Sequence, residues 1–133
     1  MNTKKVIYYI PRVLAAIILL QTLYFKLTGH PDSIYIFTKM GMEPWGRITM
    51  GVVELFSGIM LLIPILSWLG AGLTVGVMAG AVFSHLGPLG VNVQGDGGFL
   101  FILALVTLIC SGIVVFQEKD RVIHAFKYVK DKV

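Results

Sequence analysis

Five side chains in this sequence have the types and order to share one piece of chemistry: Gln21, Lys26, Glu54, His85 and Asp96. Glu54 is the most telling of them. The rest of the run from Ile48 to Leu66 is apolar, small or hydroxylic. In a membrane span a buried charge costs roughly 2.5–3.5 kcal/mol on insertion scales, so it demands a partner or a task. A carboxylate at that depth can accept or pass a proton, a lysine can donate to an oxygen, and an imidazole can do either. Each residue also has a plainer reading. Glu54 can pair with Lys26 or Arg47, or hydrogen-bond across a bundle. His85 can sit at a helix end among headgroups. Lys26 and Arg47 can snorkel, and Asp96 among glycines suits a turn.

The elements that must position these groups follow from hydropathy. The chain has 133 residues, 56% of them hydrophobic and only 14% charged, against about 25% charged in a soluble domain. Its mean hydropathy is +0.84. Val13 to Tyr24, Leu55 to Leu86 and Phe99 to Gln117 carry no acidic or basic side chain except His85. This pattern predicts an all-α integral membrane protein, a single domain built as a four-helix bundle. Spans are expected at about 11–27, 47–66, 67–86 and 99–116. Pro11 suits a first helical turn, Arg12 can snorkel to headgroups, and Pro64 should kink or end the second span. The N-terminal apolar run is too long for a signal-peptide core and no A-x-A-like site follows it, so it reads as a retained first span.

Between spans one and two, Asp32 or Ser33 can cap a short helix that Gly41 ends, with Ile34, Phe37 and Met40 on one face; it should lie in the membrane interface. Residues 87–98 read as a Gly-rich loop. The basic residues gather at the two ends: Lys4, Lys5 and Arg12, then Lys119, Arg121, Lys127, Lys130 and Lys132. An even number of spans places both ends on one side, which the positive-inside rule makes the cytoplasm. The tail at 118–133 puts Val122, Phe126, Val129 and Val133 at helical spacing and predicts a basic amphipathic helix on the membrane surface. Its charge suits the lipid bilayer and gives no reason to expect nucleic acid as a partner.

Small residues indicate how the spans pack. Gly72, Gly76 and Gly80, then Ser84, recur every four residues and predict a close helix–helix seam, in preference to a cavity wall for a flat ligand. Gly51 and Gly58 share a face with Glu54, which turns the carboxylate into the bundle. In the four-span arrangement Gln21, Lys26, His30, Asp32, Glu54, His85, Asn92, Gln94 and Asp96 all fall in the same half. Such a cluster could hold a polar headgroup while an apolar body lies between helices, or relay protons. No clustered Cys/His motif points to a metal, and Cys110 is the lone cysteine, which rules out an intrachain disulfide relay. No phosphate loop or dinucleotide fingerprint is present.

From about Gln21 to Phe116 the chain resembles the DoxX family of small four-span membrane proteins. The resemblance rests on Phe25-Lys26-Leu27 with Gly29-His30-Pro31, Phe37 and Gly41, Gly51-x-x-Glu54-Leu55, Gly58 and Leu61-Leu62. It continues through Gly70-Ala71, Met78, Gly80-Ala81, His85-Leu86 and Asp96-Gly97-Gly98. It implies a membrane-embedded bundle, in the bacterial cytoplasmic membrane. Some members of the family are linked to quinone-coupled oxidation, and others to maturation or assembly of partner proteins. With the polar cluster, it leads us to expect a redox-associated protein that binds a quinone-like molecule, with Lys26, Glu54 and His85 at the site. Electrons would then come from a partner redox subunit. The alternative expectation is a non-enzymatic assembly or interaction factor, alone or as a homo-oligomer. A transporter is the weaker fit, since four short spans show no internal repeat.

Overall fold

The computed structural model describes residues 3–132; Val133, the last member of the tail's apolar register, lies outside them. Six helices follow one another: α1 (Thr3–Thr28), α2 (Pro31–Lys39), α3 (Trp45–Leu62), α4 (Ser67–Leu86), α5 (Phe99–Gln117) and α6 (Lys119–Lys132). The helices α1, α3, α4 and α5 are long and apolar enough to cross a membrane. They form a ring in which α1 and α4 each pack against both α3 and α5. The centre is made of small and medium side chains, among them Ala15, Ala16, Leu19, Leu61, Ala71, Met78 and Val114. Large apolar residues such as Phe56, Phe83 and Phe116 point outward. In water that distribution would be unfavourable; against lipid tails it costs nothing, and small residues inside let the backbones approach.

The first span is longer than the hydropathy suggested. It begins by Thr3, so Pro11 lies inside the helix and not at its first turn. An interior proline lacks the N–H that would satisfy the carbonyl four residues back. Here that carbonyl is Ile7 O, and the Gln117 side-chain amide donates to it at 3.0 Å. The helix therefore tolerates Pro11 because α5 supplies the missing donor. At 1.5 Å per residue, 26 residues extend about 39 Å, well beyond a hydrocarbon core of roughly 30 Å.

Arg12 also departs from expectation. It is buried, not snorkelled. Its guanidinium donates to Glu118 Oε1 at 2.8 Å, to Gln117 Oε1 at 2.6 Å and to the Tyr8 carbonyl, and it stacks 3.6 Å over the Tyr8 ring. It ties α1 to the junction between α5 and α6.

The second span is shorter than expected, ending at Leu62 and not near 66. Pro64 cannot donate to Met60, and it drives the preceding Ile63 into extended backbone (φ −99°, ψ 114°). A turn follows, in which the Ser67 hydroxyl donates to Pro64 O at 3.0 Å. Just beyond it Gly70 supplies the closest approach between α3 and α4. A Cβ there would lie 2.9 Å from Leu61 N, Met60 Cβ and Ser57 O. The seam expected at Gly72, Gly76 and Gly80 is therefore displaced, because a Cβ at any of these three would meet nothing within 4 Å. Gly51 and Gly58 on α3 do face α1: their Cβ atoms would meet Leu27 Cδ2 at 2.7 Å and Leu20 Cδ2 at 3.3 Å.

The short helix α2 is capped two or three residues earlier than its sequence suggested. His30 Nδ1 accepts from Asp32 N at 3.1 Å, and Pro31 opens the first turn. Gly41, at φ +73°, follows the last turn as the left-handed residue that a C-terminus favours.

Candidate functional site

A half-open cavity of about 610 Å³ lies between the spans at the α2 end of the bundle. Drug-sized and cofactor ligands commonly occupy clefts of roughly 300–1,000 Å³ with apolar walls and a few polar groups. Here the apolar wall comes from all four spans, including Leu19, Met78, Leu103 and Ala104. The polar groups concentrate towards α2 and the loop at 87–98.

At their centre is Glu54, 1% exposed. Its neighbours come from α1. Lys26 Nζ lies 3.1 Å from Oε1 and donates to Oε2 at 3.2 Å, and Thr22 Oγ1 donates to Oε2 at 3.3 Å. Thr22 and Lys26 are four residues apart and so share one helical face. Gly51, one turn before Glu54, lets that face approach, since a Cβ at position 51 would lie 3.5 Å from Lys26 Cβ. The end of α1 is held from outside the pair. Arg47 donates through Nη1 to the Lys26 carbonyl, while its Nε engages Glu43 at 2.9 and 3.0 Å. Arg47 is thus a brace for Lys26 and makes no ion pair with Glu54. Oε1, although close to Lys26, makes no hydrogen bond of good geometry, and neither does Ser57 Oγ one turn further along α3.

His85 is 5% exposed and also lines the cavity. Its Nδ1 is 3.1 Å from Gly90 O, and its ring meets Phe101 edge-on at 5.7 Å. A carbonyl can only accept, so Nδ1 carries the proton. In the neutral ring Nε2 is then the lone-pair nitrogen and an acceptor. Asp96 reaches the same cavity, but its carboxylate is occupied by backbone. Oδ1 accepts from Val93 N at 3.0 Å and Gly98 N at 2.8 Å, and Oδ2 from Leu100 N at 3.2 Å. Partial burial opposes its charge, yet the N–H groups of Gly98, Leu100 and Val93, with His85 nearby, hold its pKa below the usual carboxylate range.

A lowered carboxylate pKa stabilises the fold above the unfolded-state value, about 3.9, and that stabilisation disappears as pH falls through the lower folded-state value. The thermal unfolding midpoint in detergent should therefore fall between pH 7 and pH 3, and Asp96→Asn should shrink that fall. An equal acid-induced fall in both proteins would remove Asp96 from the account.

Gln21 is exposed and takes no part in the cavity. One residue along a helix rotates a side chain by about 100°, and Thr22 occupies the place assigned to it. The spacing signal was available: Thr22 lies one turn before Lys26. His30, Asp32, Ser33, Phe37 and Met40 also line the cavity, so α2 and its two caps form part of its wall. Gly76, Gly80 and Ser84 face the same space, which makes the glycine stripe of α4 a cavity wall. The arrangement can hold one polar head among an ammonium, a carboxylate and an imidazole, with a flat or narrow apolar body along α4.

A sequence model of the DoxX family matches residues 8–87, more than half of the chain. The match takes in Lys26, Glu54 and His85 and stops short of Asp96. No curated protein and no solved structure matches the chain.

Proposed function

We propose that this chain, which belongs to the DoxX family, binds a quinone-like lipophilic molecule in the α2 half of its membrane bundle and serves a membrane redox assembly. The observation that carries the reading is the cavity itself. A space of about 610 Å³ within four apolar spans ends on a lysine, a carboxylate and a histidine. A lipid-soluble ring with one or two oxygens matches both parts, the apolar wall and the polar end.

We assign the roles from the contacts each side chain makes. Lys26 donates to a ring oxygen, since it is the cation at the site. His85, fixed by Gly90 O, offers Nε2 as an acceptor. It therefore suits the hydroxyl of the reduced ring better than the carbonyl of the oxidised one. Glu54 holds Lys26 in place and can accept or pass a proton. Electrons would enter or leave through a partner subunit.

The test is binding. Purified protein in nanodiscs should carry extractable quinone, or should bind a short-chain quinone saturably by calorimetry. Gly80→Leu should weaken that binding at least about tenfold, because its side chain would fill the cavity, while leaving the unfolding midpoint near wild type, because a Cβ at 80 meets nothing within 4 Å. Absence of both extractable quinone and saturable binding would reject the reading. If a stoichiometric protein instead co-purified with no small molecule, and was lost in Glu54→Gln, the polar cluster would be a grip for that partner in an assembly factor.

A further inference from the structure

At the opposite end of the bundle from the cavity, we propose that α6 is a docking surface for the headgroups of anionic phospholipids. Val122, Ala125, Phe126 and Val129 fall at i, i+3, i+4 and i+7 and make one apolar stripe. Lys119 and Lys130 border the stripe on one side and Arg121 and Lys132 on the other, while Ile123 and then Lys127 fall further round, next to Asp120. Asp120, His124 and Asp131 fall on the pole opposite the stripe. An apolar stripe with cations along both margins and acids turned away has the charge pattern that complements a surface of lipid phosphates. A solvated helix would gain nothing from that segregation.

The fold leaves the Phe126 and Val129 part of this surface uncovered and sets where it lies. No residue of α6 is buried. Val122 and Ala125 are half-covered, whereas Phe126 is 74% exposed and Val129 58%. A single residue, Glu118, separates α6 from the last span, and it is pinned by Arg12 at 2.8 Å. Arg121 adds a second tie, donating to Pro64 O at 3.3 Å. The first turn of α6 is therefore held at the end of the bundle, where spans give way to headgroups. Its C-terminal half carries Lys127, Lys130 and Lys132 beyond those ties. Each basic residue close to an anionic surface is good for roughly a fivefold gain in occupancy.

The full chain in nanodiscs of phosphatidylcholine alone, and of phosphatidylcholine with phosphatidylglycerol, tests this by amide hydrogen exchange. Exchange across 119–132 should be at least about tenfold slower in the anionic discs, given several lysines acting together. The protection should fall away at about 0.5 M salt, where the Debye length is roughly 4 Å. It should also disappear in the combined variant Lys127→Gln, Lys130→Gln and Lys132→Gln, with exchange in α3, α4 and α5 unchanged. Equal exchange in the two lipids would overturn the proposal, as would protection that survives the triple variant. Protection that arises only when another protein co-purifies would overturn it too, and would give the face to that protein. None of these outcomes depends on what occupies the cavity.

Discussion

Replacing Lys26 by methionine is expected to destabilise the protein by about 3–5 kcal/mol, the range for removing one partner of a buried ion pair. Glu54 is 1% exposed, so it would keep its desolvation cost and lose its counter-charge. Thr22 would remain at 3.3 Å, but a single hydroxyl does not offset a buried carboxylate. Arg47 is not in a position to substitute, since its guanidinium is committed to Glu43 and the Lys26 carbonyl. The double variant Lys26→Met with Glu54→Leu should recover most of the loss, because a buried pair exchanged for apolar residues of similar volume is often neutral or stabilising. Unfolding in mixed micelles would measure both. If Lys26→Met lay within about 1 kcal/mol of wild type, the pair would be behaving as an exposed one, and Glu54 would need another source of compensation.

That double variant also separates stability from function. A core of methionine and leucine would leave the bundle folded and remove the ammonium and the carboxylate from the cavity. The quinone binding proposed above should then be lost although the protein is stable. Single variants confound the two, because each leaves a charge without its partner.

The spans were legible in the sequence because lipid imposes a one-dimensional rule: a crossing helix needs an uninterrupted apolar run. The start of α5 at Phe99 follows from it directly, whereas the start of α4 at Ser67 needs Pro64 to divide the continuous run from Leu55 to Leu86. What the rule does not carry is the direction each small residue faces. Gly76 and Gly80 have the spacing of a packing seam, and nothing local distinguishes a glycine that admits a neighbouring helix from one that leaves room for a ligand. In the fold the close contact with the α3 backbone falls at Gly70, while Gly76 and Gly80 have nothing within 4 Å of where a Cβ would stand. Likewise Glu54 announced itself by its cost, while Thr22 was inconspicuous because a hydroxyl in a span is cheap. The Gly90 carbonyl that sets the His85 tautomer belongs to a loop, where backbone direction is not encoded in hydropathy.

Arg12 provides the second large effect and the sharper contrast between sequence and fold. Its position near two lysines at the start of an apolar run suggests a side chain snorkelling to headgroups, for which Arg12→Met would change stability by less than about 1 kcal/mol. The structure predicts about 3–5 kcal/mol instead, since the side chains of Arg12 and Glu118 are only 3% and 12% exposed. Three further contacts would go with it: the Gln117 carbonyl oxygen, the Tyr8 carbonyl and the face of the Tyr8 ring. Gln117 matters twice, because its amide also satisfies the carbonyl that Pro11 leaves open, so loosening Gln117 should fray α1 ahead of the proline. Arg12→Lys should recover only part of the loss. An ammonium keeps the charge but cannot present the planar fork that reaches Glu118 with one arm and Gln117 with the other. Hydrogen exchange would locate the damage. If the fork is what joins the elements, protection should fall at the start of α1 and the first turn of α6 in both variants, more in Arg12→Met than in Arg12→Lys. Equal stability of Arg12→Lys and wild type would mean that charge alone suffices there, and that the fork contributes nothing to holding α6 against the bundle.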